Sequence, residues 1–434
     1  MDKMADVLGR AGAWCGQNKY LSAIKNAFQN FMPLTIAGAI GVLWCNVLVN
    51  DQTGLGLFFK PIMALDFLNP AFLAVNFCTI SCITVGITLG IAQEIGVWNM
   101  GAERAGYIPG LVGLAAWLSV TNTSHMVEGA KEAFTGIAGN ELGATGLFTG
   151  MIIGVLSVEL FCFFEKQDAL KIKMPEQVPP GVARAFEVLV PATITLIITA
   201  CIGSACYNLT GLYLNDVIKN GIQGPLGAVG ATIPGVMIIY LVIMLFWLVG
   251  IHGNNMLSAV KEALFTPLAL ENVEKFNKGE KPTNIINMYA LQMWGEFGGS
   301  GVTIGLVIAI MIFGKREDNK AIATLSLVPG LFNINETVTF GVPMVLNPIL
   351  GIPFVVAPLI TIIIGYVLTV IGFCPVACLT VPWTTPPIVF GFLACGANVM
   401  GAVTQAILIV VSTVIYVPFL ISYEKYQNKQ AAEA

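Results

Sequence analysis

Three features of this sequence point to an all-α polytopic membrane protein. The 434-residue chain is 56% hydrophobic and only 11% charged, with a mean hydropathy of +0.80, a balance well outside that of soluble domains. Uncharged or nearly uncharged apolar runs recur at 31–49, 71–93, 142–164, 188–207, 231–251, 349–373 and 396–422, each close to the roughly 20 residues needed to cross a hydrocarbon core. No water is available there to satisfy backbone groups, so each run is expected to be a helix. Shorter or more broken candidates near 107–121, 297–314 and 322–345 bring the expected total to about ten transmembrane helices.

The opening segment "MDKMADVLGRAGAWCGQNKY" is polar and precedes a full-length span. It does not have the pattern of a cleavable signal peptide, and the first helix is expected to direct insertion. Lys3, Arg10, Lys19 and Lys25 before the first span, and Lys166, Lys171, Lys173 and Arg184 after the fourth, form two basic-rich segments. The loops near 50–70 and 121–143 hold only Lys60 and Lys131. Because cytoplasmic loops retain Lys and Arg, both rich segments are expected in the cytoplasm. The second, "EKQDALKIKMPEQVPPGVARAFE", reads as an amphipathic linker broken at Pro179-Pro180-Gly181.

Later the alternation fails. Lys261, Lys275, Lys278 and Lys281 follow the span at 231–251, whereas Lys315, Arg316 and Lys320 follow the span at 297–314. The charge rule places both groups inside with a single clean crossing between them. Some part of residues 250–301 must therefore dip into the membrane and return, or cross as a disguised span. Two Gly- and Pro-rich stretches, "VGIHGNNML" (249–257) and "PGLFNINETVTFGVPMVLNPILGIP" (329–353), have the look of non-helical backbone lining a protein-walled cavity.

Those stretches also hold isolated polar side chains. Glu336 is the only residue charged at neutral pH between Ala321 and Tyr423. An ionised carboxylate at membrane depth costs at least about 2.5–3.5 kcal/mol, so it calls for either a lysine partner or a polar cavity. His252, one of two histidines, lies in a run from Asn220 to Val260 that has no Asp, Glu, Lys or Arg. Glycines flank it, and Asn254 and Asn255 follow. Asn333 and Asn335 supply further amides beside Glu336, while Pro329, Gly330, Gly341 and Pro343 interrupt the helix. Amide, carboxylate and imidazole together suit a ring of hydroxyls, each wanting one donor and one acceptor. That pattern describes a sugar site. Trp383 in "LTVPWTTPP" offers an aromatic face or, alternatively, an interfacial anchor. "WGEFGGSGV" (294–302), with Gly299 and Ser300, presents either backbone amides to a ligand or a tight helix start, and its Glu296 either joins the site or is a solvated acid.

The remaining polar residues are expected to be structural. Asp51, Glu94, Glu103, Glu128 and Glu132 fall at span ends or in loops; Glu159 sits near a cytoplasmic end, where it snorkels or pairs; His125 reads as an exposed loop residue. Ten cysteines are scattered with no zinc-type spacing and read as small buried hydrophobes. Neither metal nor cofactor is expected, and without a basic block no nucleic-acid partner is expected.

The motifs resemble those of the membrane-spanning IIC component of the bacterial phosphoenolpyruvate-dependent sugar phosphotransferase system, in its lactose/cellobiose/diacetylchitobiose family. The likeness runs end to end through "NFMPLTIAGAIGVL", "PPGVARAFEVLVPATITL", "WLVGIHGNNM", "WGEFGGSG", "LVPGLFNINETVTFGVPMVLNP", "GIPFVVAP" and "VPWTTPP". Thr337 departs from the proline that many members carry after the Glu. The resemblance implies a homodimer in the bacterial plasma membrane with cytoplasmic termini. Residues 1–207 would form the dimerisation domain, and 208–434 a substrate-binding domain with two re-entrant hairpins. It implies that a β-linked disaccharide is taken up and its 6-hydroxyl presented to a phosphocysteine on a separate IIB partner. His252 and Glu336 would be the reacting pair, with Asn335 and Trp383 as sugar contacts; Asn254, Gly299, Ser300 and Asn333 complete the candidate binding set. A proton-coupled secondary sugar transporter, with Glu336 and His252 as a proton relay, is the competing class.

Overall fold

The computed structural model describes residues 10, 13–14, 17–51, 55–125, 134–175 and 177–433, and they are overwhelmingly helical. Six of the described helices are long and apolar enough to cross a membrane, or seven if Met288–Val302 and Ile304–Phe313, bent by 59° at their break, make one span. Shorter apolar helices at Ile108–Val120 and Ile233–Leu248 add to these. The expected all-α membrane architecture is therefore present. The chain divides into two compact units.

One unit comprises residues 17–38 and 74–228. It receives most of α1 (Lys19–Leu43) and the end of α2 (Asn69–Cys78), and it contains α3 (Ile83–Met100), α4 (Ile108–Val120), α5 (Leu147–Glu165) and α6 (Pro180–Thr210). Helices α3, α4 and α5 pack on one another. Small residues permit the approach: a Cβ on Gly113 would stand 2.3 Å from that of Ala92, and one on Gly150 2.2 Å from Thr88 Oγ1. Several charges here have partners in place. Lys19 meets Glu159 at 2.6 Å, so Glu159 pairs. Glu165, almost fully buried, accepts from Arg104 and Arg184, each at 2.9 Å. Glu94 accepts from Asn26 at 2.9 Å. His125 differs from its expected place: it is half-buried in a two-residue strand, β1 (Ser124–His125), paired with β2 (Phe134–Thr135). Its ring packs 5.6 Å from that of Phe134. Lys3, Glu128, Lys131 and Glu132 lie outside the described residues.

The other unit draws on residues 39–73 and 229–434. Its later helices are α7 (Ile233–Leu248), α8 (Gly253–Met256), α9 (Ser258–Asn277), α10 (Met288–Gly295), α11 (Ile304–Phe313), α12 (Glu317–Leu331), α13 (Glu336–Gly341), α14 (Gly351–Val370), α15 (Val389–Ala394) and α16 (Val399–Glu433). Helix α14 packs against α7, α10 and α16, and α16 also against α11. Trp247, Trp294, Phe297, Phe354 and Tyr416 are buried in this unit. Four described cysteines, Cys162, Cys374, Cys378 and Cys395, are buried as expected of small hydrophobes, whereas Cys78 and Cys201 are exposed.

Helix α9 has the length of a span without its apolar composition. Its 20 residues rise about 30 Å at ~1.5 Å each, enough to cross a hydrocarbon core despite its charges. Lys261 does not belong with the loop lysines: it is 5% exposed and paired with Glu296. The turn after α9 is closed by Asn272, which is fully buried. Its Oδ1 accepts the N–H groups of Thr283 and Asn284, at 3.2 and 3.0 Å, while its amide donates to the carbonyls of Asn284 and Ala377. At the end of α9 Asn277 accepts from Asn46 at 3.1 Å.

Candidate functional site

All the candidate site residues lie in the second unit, on four interruptions of its helices. The first follows α7. Gly250 adopts φ +79°, a conformation other residues take only under strain, and the chain turns so that His252 caps α8. The His252 Nδ1 accepts the Asn255 N–H at 3.2 Å, which leaves the neutral ring's proton on Nε2. Its ring lies 4.5 Å from that of Trp247. Gly253 presses so closely on α7 that a Cβ there would stand 2.0 Å from the Ile243 carbonyl oxygen. The imidazole is thus held from two sides.

Glu336 opens α13 opposite this ring. Its Oε1 is 3.8 Å from His252 Nε2, and the two side chains are 46% and 37% exposed. That distance exceeds a hydrogen bond and leaves room for a third polar group to bridge the pair. Among the described ion pairs, Glu336 has no lysine or arginine partner. The buried Lys261 pairs with Glu296.

The other asparagines and the glycine-rich turn hold the pair in place. Asn335 is buried and donates to the Ser300 carbonyl at 2.9 Å and to Thr339 Oγ1 at 3.1 Å. Asn333 accepts the Gly298 N–H at 2.6 Å and donates to the carbonyls of Trp383 and Thr385. That side chain brings the Trp383 loop to the start of α13. Gly299, at φ +87°, backs directly on Asn335, 2.6 Å from where its own Cβ would be. Asn254 donates to Ser300 Oγ at 2.9 Å. Hence Asn254, Ser300, Asn333 and Asn335 spend polar atoms within the protein, while His252, Glu336 and the 44% exposed Trp383 keep accessible surface.

Glu296 is neither solvated nor free: it is paired with Lys261 and accepts the Tyr240 hydroxyl at 2.7 Å. Sequence reasoning missed Lys261, Tyr240 and Trp247. Trp247 sits five residues before His252 in an apolar helix, where an indole reads as core. Lys261 reads as the first cation after a span, and no spacing links it to Glu296, 35 residues away.

The model of the family described as "Phosphotransferase system, EIIC" matches residues 25–358. The chain belongs to the EIIC family of the phosphotransferase system. This EIIC protein is 31% identical over 430 residues to the oligo-beta-mannoside-specific EIIC component of Bacillus subtilis strain 168, covering 98% of this chain and 94% of that one. It is 30% identical over 486 residues to the cellobiose-specific EIIC component of Lactococcus lactis subsp. lactis strain IL1403, covering 98% of each. The crystal structure of the transporter ChbC, the IIC component of the N,N'-diacetylchitobiose-specific system, superposes with a TM-score of 0.88 at 29% identity, covering 97% of both chains. As an EIIC permease, the protein is an integral membrane component that works with a sugar and an EIIB partner.

Proposed function

We propose that this EIIC protein carries a β-linked disaccharide of the cellobiose, diacetylchitobiose or lactose type through the membrane and presents its 6-hydroxyl for phosphorylation. The observation that carries the reading is the Glu336–His252 pair, an accessible carboxylate and imidazole 3.8 Å apart at the meeting of broken helices. The names of the relatives, with β-mannoside, cellobiose and diacetylchitobiose among them, supply the substrate class.

In this reading the sugar 6-hydroxyl sits between the two side chains. Glu336 accepts its hydrogen bond and takes its proton, and the His252 Nε2–H orients the oxygen. The oxygen lone pair forms the new P–O bond as the P–S bond of the partner's phosphocysteine breaks, its electron pair leaving as thiolate. Phosphoryl transfer asks the protein mainly for position and charge stabilisation, and two fixed side chains on opposite loops supply both. Trp383 stacks on the apolar face of a pyranose. Asn254, Gly299, Ser300, Asn333 and Asn335 form the wall of the same site. Phosphate on the product adds charge that the pocket was not built to hold, and release follows. Residues 1–207 form the contact of a homodimer, 208–434 the substrate domain, and both termini face the cytoplasm.

Proteoliposomes test this directly. With the phosphorylated EIIB partner inside, radiolabelled cellobiose or diacetylchitobiose should appear in the lumen as sugar phosphate, and without the partner uptake should stop. Free sugar accumulating under a proton gradient would establish the secondary-transport reading instead.

A further inference from the structure

The Lys261–Glu296 pair serves neither the sugar nor the proton in the mechanism above, yet it lies between the segments that do. Its side chains are 6% and 17% exposed. The ammonium faces Glu296 Oε1, Asn254 Oδ1 at 3.4 Å and the Tyr240 ring, whose centroid is 5.5 Å away. From this hub one arm passes through Asn254, two residues beyond His252. The other passes through Glu296 into the turn whose Ser300 carbonyl holds Asn335, the residue before Glu336. Asn254 and Ser300 also bond each other, closing the loop.

We propose that Lys261 and Glu296 form a positioning strut that sets the separation and aim of His252 and Glu336 without touching the sugar. The proposal rests on the reading that those two residues handle the reacting hydroxyl. A misplacement of about 1 Å costs on the order of 100-fold in rate. Affinity should depend on it less, because the Trp383 loop has anchors of its own. Asn333 holds its carbonyl, and Gln405 accepts the N–H groups of Ile388 and Gly391 at 2.7 and 2.8 Å. The strut is therefore expected to act on turnover more than on binding.

The test compares Lys261→Met, Glu296→Gln, the double variant and Lys261→Arg, reconstituted at full length with phosphorylated EIIB, and with Glu336→Gln alongside. Turnover is measured at saturating cellobiose or diacetylchitobiose, and Kd by calorimetry. Each neutral single variant should lose about tenfold or more in turnover with Kd changed by less than about threefold. The double variant should turn over no more slowly than the worse single, because two groups acting as one unit are not additive. Lys261→Arg should recover part of the loss. If Lys261→Met does not fold, the double variant, which strands no charge, decides in its place. Wild-type turnover in a folded neutral variant overturns the strut, and so does a parallel loss of turnover and affinity. Wild-type turnover in Glu336→Gln would instead overturn the reading on which it rests.

Discussion

At the scale of single residues, the decisive contrast is between two membrane-depth carboxylates. Glu296 is held at Oε1 by Lys261 and Tyr240, whereas Glu336, with His252 as its ion-pair partner among the described residues, keeps nearly half of its surface. Replacing Glu336 by Gln preserves shape and one acceptor but removes the base, so phosphorylation-coupled uptake should fall at least about 100-fold while gel filtration shows an unchanged folded protein. Near-normal uptake would remove the carboxylate from the chemistry. Trp383→Ala removes a stacking face and leaves the backbone carbonyl that Asn333 binds. Sugar Kd by calorimetry should then rise about tenfold, roughly 1.4 kcal/mol, with turnover at saturation nearly intact; an unchanged Kd would return the indole to an interfacial role. Glu336 and His252 were legible in the sequence because isolation in an uncharged run is itself a signal. Lys261 was not, since its meaning depends on a partner that only the folded chain brings near.

At the scale of elements, the turn at 298–302 shows why a glycine cluster that is ambiguous as a string becomes definite as a shape. Gly301 has φ +79°, a Cβ there would lie 2.3 Å from the Phe354 ring, and its carbonyl accepts the Tyr416 hydroxyl at 2.8 Å. Gly211, which caps the end of α6, has a similar φ of +71° with nothing within 4 Å of the same position. Gly211→Ala should therefore cost only the left-handed strain, about 1–2 kcal/mol. Gly301→Ala should add an overpacking cost of about 1–3 kcal/mol. Melting in detergent should rank wild type, then Gly211→Ala, then Gly301→Ala; equal shifts would mean that Phe354 yields freely. The apolar spans could be read from hydropathy because lipid imposes length and polarity together. Helix α9 could not, because buried partners, Glu296 for Lys261 and Thr266 for Glu262, excuse its charges.

At the scale of the whole molecule, the late lysine groups decide how the unit that holds the site is read against the positive-inside rule. From the turn at 278–287, α10 and α11 run on to Lys315 and Arg316 with a 59° bend between them; read as one broken span, they carry those residues to the opposite face. There their N–H groups bond Glu424, near the end of α16, at 2.8 and 3.3 Å. In that reading the two late lysine groups lie on opposite faces, against a literal use of the positive-inside rule. Orientation is an overall bias, and Lys261, now inside the protein, never counted toward it. With cytoplasmic termini, a cysteine at Lys281, in a background lacking the native cysteines, should react with a membrane-impermeant maleimide added to intact cells. A cysteine at Lys320 should react only after permeabilisation. Protection of position 281 together with labelling of 320 would invert the orientation, and protection of both until permeabilisation would mean that α10 and α11 do not make a crossing.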